Sequence, residues 1–376
     1  MPPCIEFNYL RPMKHRYAVI MAGGLGTRFW PISTSHMPKQ FLDVLGTGSS
    51  LLQQTYERIS GIFDSSHVFI STHSAHRALV KAQLPQLTDE QIICEPYRKN
   101  TAPSVAYAAN KIHALDSKAV LLFLPSDHLV LNRLPFLDTL ETCFQHAEQE
   151  MALFTIGIKP HRPDTGYGYI QYRKSSDGAS VFSVKTFTEK PNAELAQSFV
   201  ESGDFLWNSG IFIWQSQAIL KALEDQDPGL HTLFYAPELY HTAEEPPFIE
   251  RAFSACKNIS IDYSVLEKAN NVYVCQSDFG WSDLGTWGSL YEQLKKDEHQ
   301  NVSSGKHILL YDCSDSLVQI PKDKIAVIQG LQNMIVVEKD NTVLLVAERR
   351  RLAGGEAVED VLLQRHQLVA HELLHQ

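Results

Sequence analysis

The chain has 376 residues, 44% of them hydrophobic and 20% charged, with a formal net charge of −10. That length accommodates a large domain, a smaller appendage and a substantial buried core. The acidic balance leaves no basic field for a nucleic-acid backbone, so a polyanionic ligand must be met by a few placed cations. Cys4, Cys94, Cys143, Cys256, Cys275 and Cys313 are scattered, with no C-x-x-C pair and no zinc-ribbon spacing. They read as reduced thiols. The opening MPPCIEFNYLRPMKHR lacks the apolar segment of a secretory signal, and no apolar run reaches the roughly 18 residues of a membrane span. The expectation is a cytoplasmic protein that binds neither membrane nor nucleic acid, in which the N-x-S at Asn301 to Ser303 is not a glycosylation site.

Along the chain, Tyr17 to Met21, His67 to Ser71 and Val120 to Pro125 are short apolar runs that read as buried strands. Between the first two, Leu51, Leu52, Thr55, Tyr56 and Ile59 share one helical face, and Ser50 and Gln53 have the spacing of a capping box. A second helix is expected from about Thr101, carrying Val105, Ala108, Ala109 and Ile112. Strand and helix alternating in this way predict a doubly wound α/β sheet. From about Phe154 the pattern is richer in strands, as in TGYGYIQY and VFSVKTFTEKP. After Asn301 it becomes a series of short β segments separated by polar turns. The expected division is a catalytic domain over 14–297 and a small module over 298–376, closing in a terminal amphipathic helix.

HELLH, from His371 to His375, matches the H-E-x-x-H zinc-protease pattern. That chemistry needs a third ligand. None follows before Gln376, and His366 lies at poor spacing on the same short helix, so the match reads as an accident of a His-rich tail.

The stretch VIMAGGLGTRFWPISTSHMPKQF carries the densest chemistry. Its GGLGTR is neither the dinucleotide fingerprint nor the P-loop pattern. Gly23, Gly24 and Gly26 still allow backbone N–H groups to converge on an anion with no Cβ in the way. A glycine cluster alone would be a tight turn. Here Arg28 and Lys39 follow at once, with Pro31 and Pro38 stiffening the segment between them, and two cations beside a backbone nest suit a triphosphate.

This stretch resembles the signature of the sugar-1-phosphate nucleotidylyltransferases. The resemblance continues in order through KNTAPSVAYAA, LPSDHLV, TGYGYI, FTEKPN, WNSGIFIW, SIDYSVLEKA and GWSDLGTW, covering residue 17 to about 290. It implies a Rossmann-like, doubly wound mixed-sheet catalytic domain. Residues 301 to 347 resemble the short left-handed β-helix-like module that the family often carries, a reasonable contact for a homodimer.

Read without the resemblance, Asp127 stands where an apolar strand ends, the place at which open α/β sheets bind ligands, although an aspartate there can also cap a turn. Asp283, in a loop flanked by Gly and Trp, is equally ambiguous alone. Together they could give two oxygen ligands to a Mg²⁺ otherwise held by phosphate and water, the role that the resemblance assigns them. His128 reads as an orienting or packing residue. Glu189 and Lys190 would alone be a surface charge pair. The resemblance places Lys190 on the sugar phosphate, Glu189 and Asn208 on the sugar hydroxyls, and the Gly168 backbone close to the hexose. It places Gly23, Gly24, Gly26, Thr27, Asn100, Thr101 and Asp127 around the nucleotide, with Arg28, Lys39 and Lys190 in catalytic positions. Glu95 follows an apolar run and precedes a proline; it either terminates a strand at the surface or reads the N1–H and N2–H₂ edge of guanine.

The activity implied is Mg²⁺-dependent transfer of GMP from GTP to mannose 1-phosphate, giving GDP-mannose and pyrophosphate. Two alternatives stand beside it: another nucleotide or hexose 1-phosphate, and a non-catalytic subunit that only binds sugar nucleotide.

Overall fold

The computed structural model describes residues 14–174 and 180–347. Cys4, the expected terminal helix and HELLH lie outside these residues. Over the described chain, contact density defines two compact units, one formed by 14–23, 52–126 and 130–281, the other by 24–51, 127–129 and 282–347. The partition therefore differs from a single cut near residue 298. Phe29, Ile32 and Leu129, early in the chain, share a hydrophobic cluster with Val302, Leu317 and Ile335.

The first unit is built on a nine-stranded mixed sheet. In spatial order its strands are Ile92–Glu95, Val68–His73, Arg16–Met21, Val120–Pro125, Phe205–Gln215, Leu153–Ile158, Val272–Ser277, Val181–Glu189 and Gly168–Tyr172. The first four run parallel, and Phe205–Gln215 runs antiparallel to both of its neighbours. Val120–Pro125 is apolar throughout, and Leu153–Ile158 is buried along its whole length with Thr155 its one polar residue, because helices cover the parallel part of such a sheet on both faces. The three strands expected from apolar runs are found within two residues of those runs, as Arg16–Met21, Val68–His73 and Val120–Pro125.

Helix Thr101–Leu115 is buried all the way from Ala102 to Ile112, well beyond the expected stripe. It packs on helices Ser216–Gln226 and Pro228–Phe234 as well as on the sheet side of the core, so no face remains for water. Ser104, Asn110 and Lys111 are polar side chains enclosed with it. The Lys111 ammonium lies 2.7 and 2.8 Å from the two oxygens of Glu245, and Tyr107 donates its hydroxyl to the same carboxylate at 2.7 Å. Burial pushes the Glu245 carboxyl up, but Lys111 and Tyr107 outweigh it and hold the group below its ordinary value.

The second unit closes on two stacks of short strands. Val302–Ser304, Leu317–Gln319 and Met334–Lys339 stack in parallel, with Thr342–Ala347 antiparallel at the edge. His307–Tyr311 and Ile325–Gln329 form the other, parallel stack. Asp312, Asp315, Asn333, Asp340 and Asn341 take left-handed backbone at the corners, which is why the polar turns are rich in Asp and Asn. Asn301 is buried, donating to Asp297 and to the Cys313 carbonyl, so it is unavailable to a glycosyl donor. The five described cysteines are free thiols, and among the described residues no helix is long and apolar enough to cross a membrane.

Removing one partner of a buried ion pair leaves an uncompensated charge. Lys111→Ala is therefore expected to lose about 3 kcal/mol or more of stability in urea unfolding, whereas Lys221→Ala, which breaks an exposed pair, leaves the transition in place.

Candidate functional site

In the second unit the chain turns through Gly26, whose φ of 60° lies in the left-handed region. A Cβ at Gly26 would overlap Cβ of Lys39, so here glycine serves both the turn and a close approach. Gln40 donates its amide to the Gly24 carbonyl at 2.8 Å, and the Ser33 hydroxyl donates to the Gly26 carbonyl. These bonds fix the peptide planes of the loop. Thr27 and Arg28 follow, both exposed, in a single turn of 3₁₀-helix whose third residue, Phe29, is buried.

Lys39 is 3% exposed. Its ammonium donates to Oδ2 of Asp127 at 3.0 Å and to the backbone carbonyl of Asp283 at 2.8 Å, with the Phe29 ring centroid 5.4 Å away. The sequence presents Lys39 as a cation for phosphate; the structure shows its charge met first by Asp127. Burial raises the Asp127 carboxyl, but Lys39 and His128 outweigh it and keep the group below its ordinary value. His128 thus acts on Asp127 through charge.

Asp283 accepts the Gly285 N–H at Oδ1, 2.9 Å away, and the intervening Leu284 has a φ of 47° while fully buried. A non-glycine residue in that region costs on the order of 1–3 kcal/mol and persists only where packing dictates it. Among the described residues no three metal-ligating side chains cluster. Mg²⁺ commonly takes only one or two carboxylates and completes its shell with water and phosphate. An ionised, half-buried Asp127 and a loop-held Asp283 fit that donor set.

In the first unit, Glu95 is 5% exposed at the end of its strand. It is therefore no surface terminus. The Ser71 hydroxyl donates to its Oε1 at 2.7 Å. Burial raises the carboxyl above its ordinary value, opposed by hydrogen bonds from Ser71 and Ser104. A Cβ at Gly23 would lie 3.8 Å from its Oε2. Asn100, with a φ of 67°, accepts the Thr101 N–H at its side chain and caps the following helix. The Thr101 hydroxyl accepts the Ile261 N–H at 2.9 Å.

A second group of this unit joins Gly168, Glu189, Lys190 and Asn208. A Cβ at Gly168 would overlap Oε2 of Glu189 and lie 3.5 Å from Cβ of Asn208. The Lys190 ammonium is 3.9 Å from Oε1 of Glu189 and well exposed, on a residue with a φ of 46°. Asn208 is held from both ends: its Oδ1 accepts the Thr155 hydroxyl at 3.2 Å and the Gly210 N–H at 3.1 Å, and its Nδ2 donates to Asp262 at 2.8 Å.

Asp262 and Glu267 are the residues that sequence reasoning missed. They bracket a π-helical turn, closed by the Glu267 N–H on the Asp262 carbonyl at 2.9 Å. Nothing in SIDYSVLEKA marks that turn except the pair of acids. Burial first, and then the Asp262 charge, raise the Glu189 carboxyl to about 6, with Lys190 opposing and Glu267 adding. The group combines two carboxylates, an amide, an exposed ammonium and a side-chain-free backbone, a combination that can bind a polyhydroxylated ring bearing an anionic substituent.

The chain is similar to known proteins over most of its length. A family model described as "Nucleotidyl transferase" matches residues 17–300. A Salmonella montevideo protein named mannose-1-phosphate guanylyltransferase is 36% identical over 94% of this chain and 75% of its own length. An Escherichia coli K12 protein of the same name is 37% identical over 92% of this chain and 72% of its own. Among solved structures, a Thermus thermophilus protein described as a mannose-1-phosphate geranyltransferase superposes with a TM-score of 0.81 at 28% identity. It covers 95% of this chain and 99% of its own.

Gly26→Ala meets both a positive φ and the Lys39 side chain, whereas a Cβ at Gly24 meets nothing within 4 Å. The expected outcome in thermal unfolding is a loss of about 1–3 kcal/mol for Gly26→Ala and an unchanged midpoint for Gly24→Ala.

Proposed function

We infer that this chain, which belongs to the nucleotidyl transferase family, transfers GMP from GTP to mannose 1-phosphate and releases pyrophosphate. The observation that carries this reading is the alignment, along almost the whole chain, of relatives named for that activity. The Gly168, Glu189, Lys190 and Asn208 group supports it as a place for a sugar phosphate.

Mannose 1-phosphate is already an anionic nucleophile, so the transfer needs no general base. The barrier is the approach of one anion to another, and catalysis rests on in-line positioning and charge neutralisation. In this proposal Lys190 holds the sugar phosphate, while Glu189 and Asn208 accept and donate to the hydroxyls. The loop amides of Gly23, Gly24, Gly26 and Thr27, with Arg28, steady the triphosphate and the departing pyrophosphate. Lys39 contributes its charge while tying Asp127 to the Asp283 backbone. Asp127 and Asp283 would hold Mg²⁺, which supplies neutralisation of phosphate charge. Asn100 and Thr101 act through the helix they begin, supporting the nucleotide side by position.

Glu95 is assigned to guanine. A buried carboxylate pairs with the N1–H and N2–H₂ donors, whereas adenine leaves it unsatisfied. We also read 302–347 as a left-handed β-helix-like coil, supported by its two parallel stacks. Ile325, Val327 and Leu309 are 74%, 64% and 50% exposed along one of these stacks, an apolar face that supports a homodimer. A cytoplasmic location accords with a soluble biosynthetic role.

The direct test is pyrophosphate release from GTP and mannose 1-phosphate. GTP is expected to exceed ATP by about 30-fold or more in kcat/KM, and Glu95→Gln to narrow that gap by damaging GTP use. Failure to turn over this pair while another hexose 1-phosphate or nucleotide reacts would reassign the substrate; binding without turnover would leave a regulatory subunit. The pH dependence is a second expectation. Glu189 accepts hydroxyl protons only when ionised, so its contribution is present above about 6 and lost as pH falls through about 6. The substrate phosphate also takes up a proton near 6. The KM for mannose 1-phosphate should therefore rise between pH 6.5 and 5 more steeply than one protonation allows, and in Glu189→Gln with the slope of one.

A further inference from the structure

We propose that Asp262 is a positioning residue of the hexose subsite, holding the Asn208 carboxamide in the arrangement that receives sugar hydroxyls beside the Glu189 carboxylate. This rests on the assignment of Glu189 and Asn208 to the sugar.

Three observations converge on Asp262. Its Oδ1 accepts the Asn208 Nδ2–H at 2.8 Å, while the Asn208 oxygen already receives Thr155 and Gly210. With both ends engaged, the carboxamide cannot flip without losing bonds at each, and one N–H remains to be directed at a ligand. Asp262 is itself placed by the chain before it. The Ile261 N–H is held by the Thr101 hydroxyl, the Ala102 N–H donates to the Ile259 carbonyl, and the Ile259 N–H to the Lys99 carbonyl. The KNTAP segment thus clamps the strand of backbone that delivers Asp262, which gives Thr101 a function on the sugar side of the unit. Thirdly, Asp262 opens a π-helical turn, a form that is rare and concentrated at functional sites.

The charge of Asp262 has its own consequence. The ionisable groups acting on Glu189 are Asp262 and Glu267 from the π-helical turn and Lys190 beside it, and Tyr263 of the same turn feels the Glu189 charge in return. Asp262 is also raised, chiefly by burial, with Asn208 and Ser260 hydrogen bonds and Lys190 opposing. Two neighbouring carboxylates whose protons are both retained more tightly than usual can share a proton.

Asp262→Asn and Asp262→Ala separate the hydrogen bond from the charge. Asparagine keeps an oxygen for Asn208 but removes the charge, so Glu189 ionises at lower pH. The rise in KM for mannose 1-phosphate between pH 6 and 5 should then become shallower, approaching the single protonation of the substrate phosphate, while KM at pH 8 changes little. Alanine removes both, and KM for mannose 1-phosphate should rise about tenfold or more at every pH, with KM for GTP within about twofold of wild type. Direct titration of mannose 1-phosphate binding provides the same readout without turnover. An Asp262→Asn profile as steep as wild type, or equal losses for sugar phosphate and GTP in both variants, would overturn the proposal. A wild-type chain that uses mannose 1-phosphate while the variants behave in that way defeats only this inference. A wild-type chain that neither binds nor uses it defeats the functional assignment and this inference together.

Discussion

The second unit depends on one buried ammonium. Lys39 has almost no contact with water, and its hydrogen bonds reach a carboxylate in the 127–129 segment and a backbone carbonyl at residue 283. Three pieces of chain far apart in sequence therefore meet at a single charge. A buried lysine without such partners would lose its proton or its place, because an unpaired charge in a low-dielectric interior costs several kcal/mol. Asp127 is the complementary half: ionised by Lys39, it remains half-buried and available as an acidic oxygen donor. Gly26 belongs to the same constraint, since only a residue with no Cβ leaves room for the Lys39 stem.

The first unit handles charge in the opposite way. Glu95, Glu189 and Asp262 are carboxylates that burial makes reluctant to ionise; Glu95 and Asp262 are relieved chiefly by hydrogen bonds, and Glu189 by the neighbouring Lys190 charge. Such groups are costly as scaffolding, because well-packed apolar side chains would serve stability better. They are suited to recognition of uncharged polar edges, where an unsatisfied acceptor penalises the wrong ligand. Contrast Lys111 and Glu245, whose pairing is complete on both sides and which face other core groups; that pair holds helices together.

Strain marks the same places. Asn100, Lys190 and Leu284 all have positive φ without being glycine, and each adjoins a residue singled out for ligand chemistry: Thr101, Glu189 and Asp283. Leu284 is fully buried, so packing fixes its conformation and thereby the aspartate before it.

The sequence by itself determined much of this protein. Continuous apolar runs located the central strands because both faces of that part of the sheet are covered, and polar turns separated the short stacked strands of the second unit, where Asp and Asn tolerate left-handed backbone. Ordered motifs identified the family, since glycine, lysine and aspartate in those surroundings are demanded by phosphate and sugar chemistry. Only the tertiary structure decided that Lys39 is paired with Asp127 and that Glu95 is enclosed by serines. It also decided that Thr101 serves the backbone of residue 261 and that Asp262 stands behind Asn208. Those outcomes depend on contacts between residues separated by dozens to hundreds of positions, and a π-helical turn leaves no periodicity to read. Local pattern reports which side chains are buried; which charge each one meets there is set by the packing of the whole chain.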